Sequence, residues 1–228
     1  MSDIIVNTFS SSAVVEIVLH RPHRRNALTG PMVEELITAF ERINENADIS
    51  VVILRGAEGA FCSGLDLKEF GTGPSPTLPA DFPSRWRYLH ELIFNSPKIL
   101  IGALEGAAIN AGAALALACD LLIVGHSSLL QVGEIQRGMA APMNLAWLRI
   151  RHSEAMAARV ILVGEPISGV ELSTMGLAHA CVDDSHVLTH CSELAHRLAT
   201  FDVAGVIQMK RALREAYAEG RSFQDFLA

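Results

Sequence analysis

The sequence predicts an α/β fold in which strand–helix turns repeat around one core, followed by a mainly helical C-terminal region. Two observations carry this. Short β-branched runs alternate with stretches of helical spacing through the first part of the chain, and from Glu154 onward helical patterns dominate. An apolar share of 50% against 19% charged residues excludes a disordered chain, and 228 residues are enough to bury a sizeable core.

Residues 13–19 are rich in valine and isoleucine and read as a strand. Pro31 then opens a helical pattern, with Met32, Leu36, Ala39, Phe40 and Ile43 recurring at spacings of three and four. Residues 51–54 form a short buried-type strand ended by Arg55-Gly56. Residues 99–101 start another, followed by a small-residue segment that turns helical towards Cys119, and residues 121–124 form the next strand. Between Gly71 and Ser84 stand Pro74, Pro76, Pro79 and Pro83, a composition that excludes a helix interior or central strand. A lid and a plain surface loop fit that segment equally well. Helices are expected over 155–162, 188–200 and 203–218, with a turn at Gly164-Glu165-Pro166.

Lys+Arg is 18 and Asp+Glu 25, a net charge of −7 that argues against a general nucleic-acid or anionic-membrane binder. The stretch 99–122 is apolar but contains Glu105, Asn110 and Asp120, so it reads as core and not as a membrane span. Residues 1–9 carry Asp3 and Asn7 and lack a signal-peptide design. Cys62, Cys119, Cys181 and Cys191 show neither a CxxC pair nor zinc spacing, so reduced thiols in the cytoplasm are expected. The nine histidines include no HExxH pair, and there is no GxSxG elbow or phosphate-binding glycine loop.

Two glycine-containing segments carry the functional signal. Gly64 permits a tight turn that leaves the amides of Leu65 and Asp66 pointing outward. Gly106 to Leu115 runs into a helix, and its small side chains allow close approach of a ligand to a helix N-terminus. Two such amides converging on one carbonyl oxygen form an oxyanion hole. Taken singly, each segment is equally well explained by tight helix packing.

Together and in this order they resemble the enoyl-CoA hydratase/isomerase (crotonase) superfamily. Arg21-Pro22-His23-Arg24-Arg25-Asn26-Ala27-Leu28 is similar to its N-terminal coenzyme A motif. Phe61-Cys62-Ser63-Gly64-Leu65-Asp66-Leu67-Lys68 is similar to its first oxyanion segment, and Gly112 to Asp120 to its second. Gly164-Glu165-Pro166-Ile167-Ser168 and Gly176-Leu177 match later turns. The resemblance implies a spiral of repeated ββα units over 1–190 and a C-terminal helical region over 191–228, short for the family. It implies that the amides of Leu65 and Ala111 bind a thioester oxygen, with Gly112 next in register. Arg25, Ala27, Leu28, Ser63, Asp66 and Leu67 fall where the family holds adenine, pantetheine and phosphate, and Lys68 adds a phosphate contact. Arg21, Arg24 and Arg25 are expected to form a cationic patch; without the flanking motif they would read as a solvated charge run.

The resemblance also separates reactions. The family's hydratases use two glutamates; here the first falls on Ala114 and the second on Glu134. A loop glutamate is ordinarily just solvated, but the apolar neighbours Val132 and Ile135 and the family position favour function. Gly133 replaces a frequent proline, which predicts a looser loop, and residues 136–142 look more like the isomerases. The expected activity is therefore a double-bond shift from a 3-enoyl-CoA to a 2-enoyl-CoA, in fatty-acid or related acyl-CoA metabolism. The alternatives are hydration of a 2-enoyl-CoA and a non-catalytic subunit that binds a CoA thioester. A homotrimer or dimer of trimers is implied, with no cofactor beyond the coenzyme A of the substrate, no metal, no nucleic acid and no membrane.

Overall fold

The computed structural model describes residues 2–8, 13–68, 80–218 and 222–227. The chain runs through β1 (Ile4–Thr8), β2 (Val14–Leu19), α1 (Gly30–Glu45), β3 (Val51–Gly56), α2 (Phe82–Phe94), β4 (Ile99–Leu104), β5 (Ala107–Ile109) and α3 (Ala111–Ala118). It continues with β6 (Leu121–Gly125), β7 (Leu129–Gln131), α4 (Pro142–Arg151), α5 (Glu154–Val163), β8 (Ile167–Ser168), α6 (Gly169–Thr174), β9 (Ala180–Val182), α7 (Val187–Leu198) and α8 (Val203–Ala218). No helix among the described residues is long and apolar enough to cross a membrane.

Six strands form one sheet in the order β1-β2-β3-β4-β6-β9, parallel throughout except for the antiparallel pair β1–β2. A smaller sheet, β5-β7-β8, is extended by two parallel bridges, Cys62 to Ala108 and Leu28 to Leu65. The chain therefore visits the large sheet, then the small layer, then a helix, four times in succession. The turns are β2, Leu28 and α1; then β3, the Cys62–Leu65 segment and α2; then β4, β5 and α3; then β6, β7 and α4. This is the expected ββα spiral.

Local sequence accounts for the elements. Thr29 caps α1 by accepting a 3.1 Å hydrogen bond from the Met32 amide, and Pro31 sits in the first turn, where its missing N–H costs nothing. The face Met32, Leu36, Phe40 and Ile43 is buried, as its spacing requires. The central strands are buried on both sides: Val52 and Leu54 of β3 join the main core, while Val51 and Ile53 pack with Val187, Cys191 and Leu194 of α7. A domain division after residue 190 falls inside α7, whose side chains share that second core.

The proline-rich stretch is corrected at its end. Residues 71–79 lie outside the described residues, but Phe82 already begins α2, and Pro83 occupies its first turn without breaking it. Helix α2 itself was absent from the sequence expectations, although Trp86, Leu89, His90 and Ile93 line its buried face.

Asp120 ties the C-terminal end of α3 to the later helices. Its carboxylate meets Lys210 at 2.7 Å, Arg214 at 2.9 Å and Arg151 at 3.3 Å, and accepts the Leu100 amide at 2.8 Å. Burial alone would raise this carboxyl, but the charges of Lys210, Arg151 and Arg214 outweigh it and hold its pKa down at about 2. A depressed folded-state pKa gives stability that is complete above the unfolded value and is lost as pH falls towards 2. Asp120→Asn should lower stability at neutral pH by about 2 kcal/mol and flatten the acid side of the stability curve, measured by denaturant melts from pH 7 to pH 2.

Candidate active site

Three backbone segments meet at the start of α3. The first follows β3. The buried Asn26 side chain donates to the Ala57 and Ala60 carbonyls at 3.0 and 2.7 Å and accepts from the Arg21 amide at 2.9 Å. It thereby fixes the 21–28 loop against the chain leaving β3. Ser63 then donates its amide to the Arg25 carbonyl (3.0 Å), Leu28 to that of Gly64 (2.8 Å), and Asp66 to that of Leu28 (2.8 Å). In this parallel pairing Gly64 and Asp66 spend their groups on Leu28, so the Leu65 N–H points to the opposite side. Gly64 makes the reversal possible with φ +94°. Ile109 and Asn110 pack closely beside this turn: a Cβ on Gly64 would lie 2.9 Å from the Ile109 carbonyl oxygen.

The second segment is β5 and the turn into α3. Cys62 donates to the Ala107 carbonyl (3.0 Å) and accepts from the Ile109 amide (2.9 Å), which locks the two segments in register. Asn110 has φ +54° and ψ −111°, a conformation costing about 1–3 kcal/mol for a residue with a side chain, and it swings the chain sharply into the helix. Ala111 is the first helical residue, and its N–H has no intrahelical acceptor. Among the described residues neither Leu65 nor Ala111 donates its amide to a protein acceptor. Gly112 packs so closely that a Cβ would lie 2.3 Å from the Cys62 oxygen.

The third segment carries Glu134 in a single 3-10 turn after β7. Asn110 binds it in place: its Oδ1 accepts from the Gly133 amide at 2.8 Å, and its own amide donates to the Gln131 carbonyl at 2.8 Å. Gly133 therefore does not simply loosen the loop, since a proline there would have no N–H for Asn110. Glu134 Oε1 accepts a 3.2 Å hydrogen bond from Asn144 Nδ2 of α4, and the same nitrogen donates to the Asn110 carbonyl at 3.1 Å. Glu134 Oε2 is buried and has no hydrogen-bond partner. Burial raises the Glu134 pKa above the ordinary carboxylate value, against a smaller lowering from its own backbone amide.

The structure thus gathers Leu65, Ala111, Gly112 and Glu134 around the start of α3. Of the residues aligned with coenzyme A contacts, Ala27 and Leu28 have buried side chains, leaving only their main chain to touch a ligand. Ser63 spends its hydroxyl on the Arg24 carbonyl at 3.2 Å, and Leu67 and Lys68 are exposed. The expected cationic patch needs correction. Asp66 faces Arg21 at 3.1 Å and Arg24 at 3.6 Å, which leaves Arg25 as the exposed member of the three. Burial would raise the Asp66 carboxyl, but the Arg21 hydrogen bond, the Lys68 amide and the two guanidinium charges hold it below its usual value. Asp66 is consequently a brace for the loop. Cys62 is fully buried, which pushes its thiol up to about 12 and removes it as a nucleophile. Sequence reasoning missed Asn144, and it named Asn26 and Asn110 only as parts of motifs. For Asn110 the available signal was an asparagine directly before a helix, a residue type enriched at positive φ.

A cavity of about 910 Å³ lies at the opposite end of α3, lined by residues that include Cys119, Asp120, Leu177, Phe201 and Met209, and it shares none of these site residues.

The two-layer ββα spiral, with main-chain donors and a buried carboxylate at one helix start, is that of the crotonase superfamily of acyl-thioester enzymes. The enoyl-CoA hydratase/isomerase family model matches residues 10–225, and the chain belongs to that family. A probable enoyl-CoA hydratase of Mycobacterium leprae is 31% identical over 223 residues, 93% of this chain and 75% of its own. The 1,2-epoxyphenylacetyl-CoA isomerase of Escherichia coli K12 is 29% identical over 89% of this chain and 79% of its own. The crystal structure of an enoyl-CoA hydratase from Bacillus anthracis superposes with a TM-score of 0.85 at 28% identity, covering 96% of this chain and 91% of that one.

The approach of Gly112 to Cys62 gives a direct test. Gly112→Ala must push α3 away from backbone atoms that cannot yield cheaply, so it should cost about 1–3 kcal/mol, read as a lower Tm in calorimetry. Alanine at Gly30, where a Cβ meets nothing within 4 Å, serves as the control.

Proposed function

We propose that the protein shifts the double bond of a 3-enoyl-CoA into conjugation, giving the 2-enoyl-CoA. The observation that carries this is the buried, unpartnered Oε2 of Glu134 beside the start of α3. In this reading the Glu134 carboxylate removes a proton from C2, and the electron pair moves through the carbonyl carbon onto the thioester oxygen. The amides of Leu65 and Ala111 donate hydrogen bonds to that oxygen and hold the dienolate. Each such donor is worth about 2.7–4 kcal/mol of transition-state stabilisation. Glu134, now protonated, returns the proton at C4, and the double bond forms between C2 and C3. One carboxylate suffices because it acts first as base and then as acid.

In the same reading the exposed Arg25 and Lys68 meet the phosphates of coenzyme A, and the main chain of Ala27, Leu28, Ser63, Asp66 and Leu67 meets adenine and pantetheine; the exposure of the two cations supports it. A homotrimer or dimer of trimers, a cytoplasmic location and a role in acyl-CoA metabolism belong to the same proposal and rest on family membership. Hydration of a 2-enoyl-CoA is the second reading, favoured by the hydratase names among the relatives. Against it, Ala114 presents a fully buried methyl group where a second carboxylate would stand.

Glu134→Gln keeps the shape but cannot take a proton, so turnover of 3-enoyl-CoA substrates should fall at least ~10²-fold with folding intact. Near-normal rates with both 3-enoyl and 2-enoyl substrates would overturn the mechanism. Because the base must be ionised and burial raises its pKa, kcat/KM should fall on the acidic side at a pH above the ordinary carboxylate range.

Ala114→Glu tests the choice between reactions. A carboxylate there should add measurable hydration of crotonyl-CoA, followed by loss of the conjugated thioester absorbance. The substitution must open a packed position, at a cost of about 1–3 kcal/mol. A folded variant with no hydration would show that position 114 does not face the substrate.

A further inference from the structure

We propose that Asn144 is a positioning residue for this reaction: its side-chain nitrogen clamps Glu134 to the first turn of α3 and leaves Oε2 as the oxygen that meets the substrate. The inference rests on Glu134 being the base. Asn144 is 2% exposed and lies in the first turn of α4, so its backbone is held by the helix. Its Nδ2 has two hydrogens and two acceptors within reach, Glu134 Oε1 at 3.2 Å and the Asn110 carbonyl at 3.1 Å. Both are pure acceptors when Glu134 is ionised, so the amide orientation is dictated: the flipped rotamer would set Oδ1 against two oxygens.

The Asn110 carbonyl belongs to the residue immediately before Ala111. A single nitrogen therefore links the proton-transfer group to the peptide whose N–H, that of Ala111, is one of the two proposed thioester-oxygen donors. Asn110 closes the loop from the other side, through its Oδ1 and the Gly133 amide. With Oε1 held in this way, Oε2 is the free oxygen, and it is the one without a protein partner.

Packing does not explain the asparagine. Its Oδ1 is buried with no hydrogen-bond partner, a cost that an aliphatic side chain of similar shape would avoid. The feature that an aliphatic residue could not supply is the pair of N–H donors. A donor to an ionised carboxylate also works against burial, keeping Glu134 available as a base.

The test compares wild type, Asn144→Leu, Asn144→Asp and Glu134→Gln, with kcat, KM and the pH profile measured on a 3-enoyl-CoA and folding checked by circular dichroism and Tm. Asn144→Leu removes both donors. It should lower kcat at least ~10-fold with KM nearly unchanged, since Asn144 does not touch the substrate, and should move the acidic limb of kcat/KM to higher pH. Asn144→Asp keeps the shape, places a second carboxylate beside Glu134 and should move that limb further in the same direction. It decides the matter should the leucine variant fail to fold. Folded variants with an unmoved limb and wild-type kcat, alongside an inactive Glu134→Gln, would overturn the positioning role alone. An active Glu134→Gln would overturn the base assignment and this proposal with it.

Discussion

A Cβ at position 112 would sit 2.3 Å from the Cys62 oxygen, and one at position 64 would sit 2.9 Å from that of Ile109. The contact between these two stretches is backbone against backbone, and it exists only because both positions are glycine. With it goes the register of Cys62 with Ala108, which sets the Leu65 segment beside the turn into α3. Asn110 completes the arrangement with a positive φ that starts the helix abruptly, so that only Asn110 separates β5 from the helical Ala111. Displacing either glycine contact by an ångström would break the close approach of the two stretches.

Three carboxylates show how environment separates roles within one chain. Asp120 is surrounded by three cations and is held down at about 2, where it can only be an anchor. Asp66 is buried but faces two arginines and is likewise held ionised, bracing the 21–28 loop. Glu134 is half-buried, with one side-chain amide donating to its Oε1, and burial moves its pKa the other way. A carboxyl whose pKa is raised holds and returns a proton more readily than one held ionised by cations.

Much of the architecture was legible because it was periodic. The α1 stripe and the valine-rich central strands announce themselves by spacing. Helix α2 did not, because the four prolines of 74–83 dominated the reading and Pro83 is in fact its first turn. The strands β5, β7, β8 and β9 have two or three residues each, too few to show an alternation. The Gly-Leu-Asp and Ala-Gly segments and Glu134 were visible as family motifs. The expected arginine patch failed on a fact that net charge conceals, since Asp66 folds back onto two of the three. Asn144 was invisible for a different reason. Its partners Glu134 and Asn110 are 10 and 34 residues away, and an asparagine in the first turn of a helix carries no sign of what it will meet.

The two thioester-oxygen donors of the proposed mechanism are main-chain groups from separate turns of the spiral. They hold their spacing through ladder hydrogen bonds at Cys62, Ile109, Leu28 and Asp66. Turnover is then itself a reporter of cooperative folding. A partly melted chain that kept α3 and Glu134 but lost one bridge would still bind and would do little chemistry. Heat inactivation and unfolding of the small sheet should be one event on the calorimeter, with no inactive but folded plateau between them.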